Sequence, residues 1–160
     1  MTNVIDQSGI LAISTRLQRL SDEIRKDGLR IYQAYGIDFE PKWFPVIYTL
    51  HHKSLLSVVE IATEIGYSHP STISLLKELE KLKIIQSKKD KQDERKRLIR
   101  LTEKGKELVA HISPIWEVMV TALTALTDTT NNLLKAIDEV ENNMKQQGFY
   151  NRAEQLRQNQ

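Results

Sequence analysis

Apolar residues recur at Ile10, Ile13, Leu17, Leu20 and Ile24, with Arg16, Arg19, Asp22, Glu23 and Arg25 on the other faces, which predicts a long amphipathic helix over about 8–35. Tyr35-Gly36 closes it. A second helix is expected from Pro41 to His51; Trp43, Phe44, Val46, Ile47 and Leu50 make it central, and Pro45 falls in its first turn or delays its start. Ser57-Val58-Val59-Glu60 has the form of a capping box, so a short helix begins at Ser57, turns Val58, Ile61, Ala62 and Ile65 inward, and stops at Gly66. After the turn Tyr67-Ser68 another helix starts with Pro70 in its first turn. Its apolar face is Thr72, Leu75, Leu76, Leu79 and Leu82, its opposite face Pro70, Ser74, Lys77 and Lys81, and Ile73 lies on the flank.

Beyond this pair of helices the period changes. Ile84 to Lys89 and Lys96 to Leu101 read as two strands around the polar segment Asp90 to Arg95, a hairpin or wing. From Thr102 a long helix carries Leu108, Ile112, Ile115, Val118, Met119, Ala122 and Leu126, with a kink expected at Pro114. Asp128-Thr129-Thr130 interrupts it, and Leu133, Ile137, Val140 and Met144 mark a last helix. The polar tail from Asn151 to Gln160 is expected to fray. The predicted fold is mainly α with a small β-hairpin wing, one domain over 1–160: a winged helix-turn-helix lobe at about 41–101, flanked by terminal helices at about 8–35 and 102–150.

Composition is that of an ordinary globular domain, with 40% hydrophobic and 28% charged residues in 160. With no cysteine, disulfides, thiolate zinc and cysteine nucleophiles are excluded. Charges break the apolar runs short of the roughly 20 residues of a membrane span, and Met1 to Ser8 lack the form of a signal peptide. No membrane association is expected and the cytoplasm is the expected location. The net charge of +2 is unevenly placed: residues 68–100 hold ten Lys/Arg against five Asp/Glu, which leaves the remainder of the chain at −3.

A helix-turn-helix followed by a basic hairpin suits duplex DNA. The second helix fits the roughly 12 Å major groove, where base edges are distinguishable, and the hairpin reaches the neighbouring minor groove. Arg95 at the hairpin tip suits a narrow, electronegative minor groove. Asp93 would be repelled by phosphate on its own, and is read as pairing with Arg95 or another wing arginine to hold it extended. Lys77, Lys81, Lys88, Lys89 and Arg97 are candidates for phosphate neutralisation. Ser68, His69, Pro70, Ser71 and Ser74 are candidates for contact at the recognition helix. Ile73 is open between a core position and a contact with a thymine methyl.

The run Asp90-Lys91-Gln92-Asp93-Glu94-Arg95-Lys96-Arg97-Leu98-Ile99-Arg100-Leu101-Thr102-Glu103-Lys104-Gly105 resembles the wing and following helix start of the MarR family, the multiple antibiotic resistance regulators. The resemblance spans roughly Ile10 to Ile137. It implies a homodimer joined through the terminal helices, which would use their apolar stripes. A two-fold dimer would read a pseudo-palindromic operator, and repression is the expected output, with activation left open, because nothing in the chain resembles a polymerase-contacting domain. It also implies a small aromatic effector, for which Tyr35, Trp43, Tyr48 and Trp116 are candidate pocket residues beside a plain core-packing role. Gly36 to Pro45 and Ser68 to Ser71 are further similar to the regulator half of MarR/N-acetyltransferase fusion proteins; the chain ends before such a domain, and no acetyltransferase activity is expected. Lys83 stands where the family usually has glycine, so that turn is expected to be strained or differently closed.

His51, His52, His69 and His111 lack ligand-like spacing, so no metal is expected, and no catalytic signature or cofactor motif is present. The reading is a sequence-specific DNA-binding regulator and not an enzyme. Its rival is a winged-helix interaction module whose basic wing binds an acidic protein.

Overall fold

A computed structural model describes residues 3–159. Its helices are α1 Val4–Gln7, α2 Ile13–Ala34, α3 Phe44–His52, α4 Val58–Ile65, α5 His69–Lys81, α6 Glu103–Leu126, α7 Leu133–Gln146 and α8 Phe149–Gln158. The strands are β1 Leu56–Ser57, β2 Ile85–Lys89 and β3 Arg97–Leu101. The chain divides after Ile115 into two compact units, so α6 contributes its first half to one and its second half to the other.

In the first unit Pro41–Trp43 forms a 3-10 turn, Pro45 sits in the first turn of α3, and the helix starts late, at Phe44. Val46, Ile47, Leu50, Ile61, Leu79 and Ile112 are buried to 2% exposure or less, so α3, α4, α5 and the first half of α6 share one core. Tyr32, Phe39 and Trp43 add an aromatic row with ring centroids 4.6 and 5.7 Å apart. The capping box at α4 is formed on both sides: Glu60 N–H donates to Ser57 Oγ at 3.3 Å and Ser57 N–H donates to Glu60 Oε2 at 2.7 Å. That backbone donor holds the Glu60 carboxyl below its usual pKa. Gly66 closes α4 at φ 70°, a left-handed conformation open to glycine at little cost, and so sets the tight turn to α5.

β2 and β3 pair antiparallel in the register Ile85↔Leu101, Ser87↔Ile99 and Lys89↔Arg97. A third strand joins them: β1 pairs with β3 through Leu56↔Ile99 and Ser57↔Leu98, so the sheet order is β1-β3-β2 and the expected hairpin is a three-stranded sheet. Two residues are too few to show an alternation in sequence, and Ser57 also serves as the cap of α4.

Lys83 adopts φ 59°, the one positive φ outside glycine among the described residues. It closes α5 with paired bonds, Ile84 N–H to Leu79 O at 3.0 Å and Lys83 N–H to Glu80 O at 2.9 Å, the Schellman arrangement. The start of α6 then clasps this turn. Thr102 Oγ1 donates to Lys83 O at 2.6 Å, Lys104 Nζ donates to Leu82 O at 2.8 Å, and Gly105 lies against the Ile84 carbonyl. The strain expected from the absence of glycine is therefore present, and Lys83→Gly should stabilise the protein by about 1 kcal/mol, read as a higher urea midpoint at unchanged slope.

The second unit holds the remainder of α6, with α7 and α8. Residues 149–158 are helical, which corrects the expectation of a frayed tail: polar composition did not prevent a helix started after Gly148, and Arg152 Nε caps Gln147 O at 2.9 Å. Membrane compatibility also needs correcting. By length and composition α6 could cross a bilayer, because Glu117 is the sole Asp/Glu/Lys/Arg over Val109–Leu126. Val109, Ile112 and Ile115 are, however, committed to the core of the first unit.

Candidate nucleic-acid interface

The outward face of α5 forms because its apolar residues are used on the other side: Thr72, Leu75, Leu76 and Leu79 are buried, while His69, Pro70, Ser71, Ser74, Lys77 and Lys81 are exposed. Ile73 is half-buried, between its two expected roles. Ser68 has a structural task as N-cap: its Oγ accepts from Ser71 N–H at 3.3 Å and donates to Ser71 Oγ at 2.8 Å. Lys42 and the Trp43 indole both donate to Glu78 Oε1, at 2.9 and 3.0 Å, tying α5 to the turn before α3 and holding the Glu78 carboxyl below its usual pKa.

Strand register divides the basic wing residues. Ser87, Lys89 and Arg97 lie on the side of the hairpin that carries Ile85, Ile99 and Leu101 into the core, whereas Lys88 lies on the other side with Gln86, Leu98 and Arg100. Lys88, Lys89, Arg95 and Arg97 are all exposed. Lys89 stands directly opposite Arg97, a like-charge pair that disfavours the bare hairpin and gains from an anion.

At the tip, Asp93 Oδ1 accepts the Arg95 backbone N–H at 3.0 Å, and Lys96 N–H donates to Asp93 O at 2.9 Å. Among the described residues no ion pair joins Asp93 to an arginine. The expected guanidinium pairing is thus replaced by a backbone turn, because a short aspartate side chain reaches the amide two residues on more readily than a long, solvated guanidinium. Asp93→Ala should loosen the tip and weaken binding to a duplex about fivefold; tighter binding, as charge counting alone predicts, would contradict this role.

The candidate pocket residues fall in different settings. Trp43 is buried against Phe39, Tyr35 is 55% exposed, and Tyr48 is 43% exposed with its ring 5.0 Å from Phe44 and 4.3 Å from His52. Trp116 is half-buried in the second unit. Sequence reasoning missed Glu80, whose Oε1 accepts from Ser87 Oγ at 2.8 Å, joining α5 to the wing.

The sequence model of the family described as "Transcriptional regulator SarA/Rot" matches residues 42–112, the segment from the 3-10 turn through the wing into α6. No curated protein matches the chain by sequence. Among solved structures, the transcriptional repressor CouR bound to a 23-mer DNA duplex is similar at TM-score 0.72 and 22% identity, over 88% of this chain and 99% of that one. The S. aureus MepR–DNA complex is similar at TM-score 0.67 and 21% identity, over 84% and 96%. Bordetella bronchiseptica BpsR, whose DNA binding is regulated by 6-hydroxynicotinic acid, is similar at TM-score 0.59 and 20% identity, over 81% and 98%. At such identities the likeness establishes the winged-helix fold. With the family match lying over both the outward helix face and the wing, the chain is a winged-helix DNA-binding transcription regulator.

Proposed function

We propose that the protein is a MarR-type homodimer that represses transcription by placing two α5 helices in successive major grooves and two wings in the flanking minor grooves. The observation that carries this reading is the pairing of an outward polar face on α5 with a basic hairpin beside it. A two-fold dimer reads a pseudo-palindrome with half-sites about one helical turn apart. Ser71, Ser74, His69, Pro70 and Ile73 meet base edges, and Lys77, Lys81, Lys88, Lys89 and Arg97 neutralise phosphates.

Dimerisation is supported by apolar residues left uncovered on the terminal helices: Ile13, Leu17 and Leu20 on α2, Leu123 and Leu126 on α6, and Val140 and Met144 on α7 are all more than 40% exposed. Stripes of this kind are costly in water unless a partner covers them. In this reading the whole of 1–160 works as one regulator in the cytoplasm, without enzymatic activity. It keeps the likeness to the regulator half of acetyltransferase fusions over Gly36 to Pro45, where Phe39 and Trp43 build the aromatic row. Control by a small-molecule effector is part of this reading, by analogy with BpsR, whose DNA binding is regulated by 6-hydroxynicotinic acid. A mobility-shift titration with sizing of the retarded species tests the proposal. The expected species is a protein dimer on one duplex, with affinity that depends on base sequence; salt-sensitive binding to any polyanion without sequence preference would favour the acidic-partner module instead.

A further inference from the structure

Between the recognition helix and the wing runs a polar link that the DNA-contact assignment leaves unused. Ser87 Oγ donates to Glu80 Oε1 of α5 at 2.8 Å and accepts from Arg97 Nη1 of β3 at 3.5 Å. A hydroxyl can do both at once, which an apolar side chain of the same size cannot. Among the described residues Glu80 and Arg97 make no direct ion pair, so the serine is the joint. Ser87 is half-buried, and its register partner Ile99 is buried, which places the joint where the core-side face of the hairpin turns polar next to α5.

We propose that Glu80 and Ser87 are positioning residues that hold Arg97, and with it the base of the wing, at a set place beside the recognition helix, so that the two groove contacts arrive in register. The proposal rests on the DNA-binding reading above. Left alone, Arg97 would swing away from Lys89 directly across the hairpin, since like charges repel. The Glu80 carboxylate, acting through the Ser87 hydroxyl, draws it back toward α5. One guanidinium nitrogen is used in this way, and the remaining donors are left for phosphate. An acidic residue on the DNA side of a regulator is thereby given a use that favours binding.

The test measures affinity for the duplex most enriched by the protein from a random pool, over a series of salt concentrations, with thermal unfolding as a check on each variant. Ser87→Ala and Glu80→Ala should each weaken binding about fivefold, the scale of one lost hydrogen bond. Ser87→Thr keeps the hydroxyl and should restore near wild-type affinity, and Glu80→Gln keeps the acceptor and should bind as tightly as wild type or tighter. Arg97→Ala should lower the salt slope by about one phosphate contact, and adding Ser87→Ala to it should change nothing more. An equal loss from Ser87→Ala with and without Arg97, or tighter binding by Glu80→Ala, overturns the link. Absence of any sequence-dependent binding by the wild type overturns the DNA reading itself, a distinct result.

Discussion

Gly105→Ala will cost the fold about 3 kcal/mol, the upper end of overpacking penalties, and will shift the unfolding midpoint more than any surface change in the wing. A Cβ at position 105 would stand 2.2 Å from Ile84 O and 3.2 Å from Ile84 C, and both are backbone atoms that cannot rotate aside. Relief requires α6 to retreat from the turn that ends α5. That retreat would pull on the bond from Thr102 N–H to Ile84 O at 3.0 Å, the Thr102 hydroxyl bond to Lys83 O, and the Gly105 N–H bond to Thr102 Oγ1 at 3.0 Å. Since α5 carries the proposed recognition face, the variant should also lose DNA affinity at temperatures where it is still folded. Urea denaturation beside a mobility shift reads both. A stability within 0.5 kcal/mol of wild type, the usual scale of surface substitutions, would show that the clasp is not tight.

Arg95→Ala should lower operator affinity by about 10- to 100-fold, the range for an arginine that reads a groove. Arg95 is exposed at the wing tip, its backbone N–H is held by Asp93, and among the described residues its guanidinium is in no ion pair. Its charge is therefore available to the minor groove, and removing it should leave the unfolding midpoint unchanged. Arg95→Lys keeps the charge without the planar fork and should recover only part of the loss. A loss that is uniform across unrelated duplexes would assign Arg95 to the phosphates. Full affinity in Arg95→Ala would remove the tip from the interface.

Much of this architecture was legible in the chain because its helices carry strong periodic faces. The row Thr72, Leu75, Leu76, Leu79 predicts both the buried side of α5 and, by exclusion, its polar side, and the capping box predicts the start of α4. The link from Glu80 through Ser87 to Arg97 was not legible, since it joins a helix and two strands whose relative placement no local pattern encodes. The tip of the wing was half legible. Spacing related Asp93 to Arg95, but only geometry shows that the amide, and not the guanidinium, is the partner. The Leu101-Thr102-Glu103-Lys104-Gly105 run was readable only as part of a resemblance, and the structure supplies a physical reason for it: a hydroxyl, an ammonium and a missing Cβ each serve the end of α5.

In the proposed complex two winged helices related by a two-fold axis read one duplex. Enrichment of bound sites from a random pool of duplexes tests it most directly. The expected result is an inverted repeat with half-sites about one helical turn apart, roughly 10 bp between centres; a pool that is retained in a salt-dependent manner yet shows no enriched sequence would contradict a two-fold dimer on one operator.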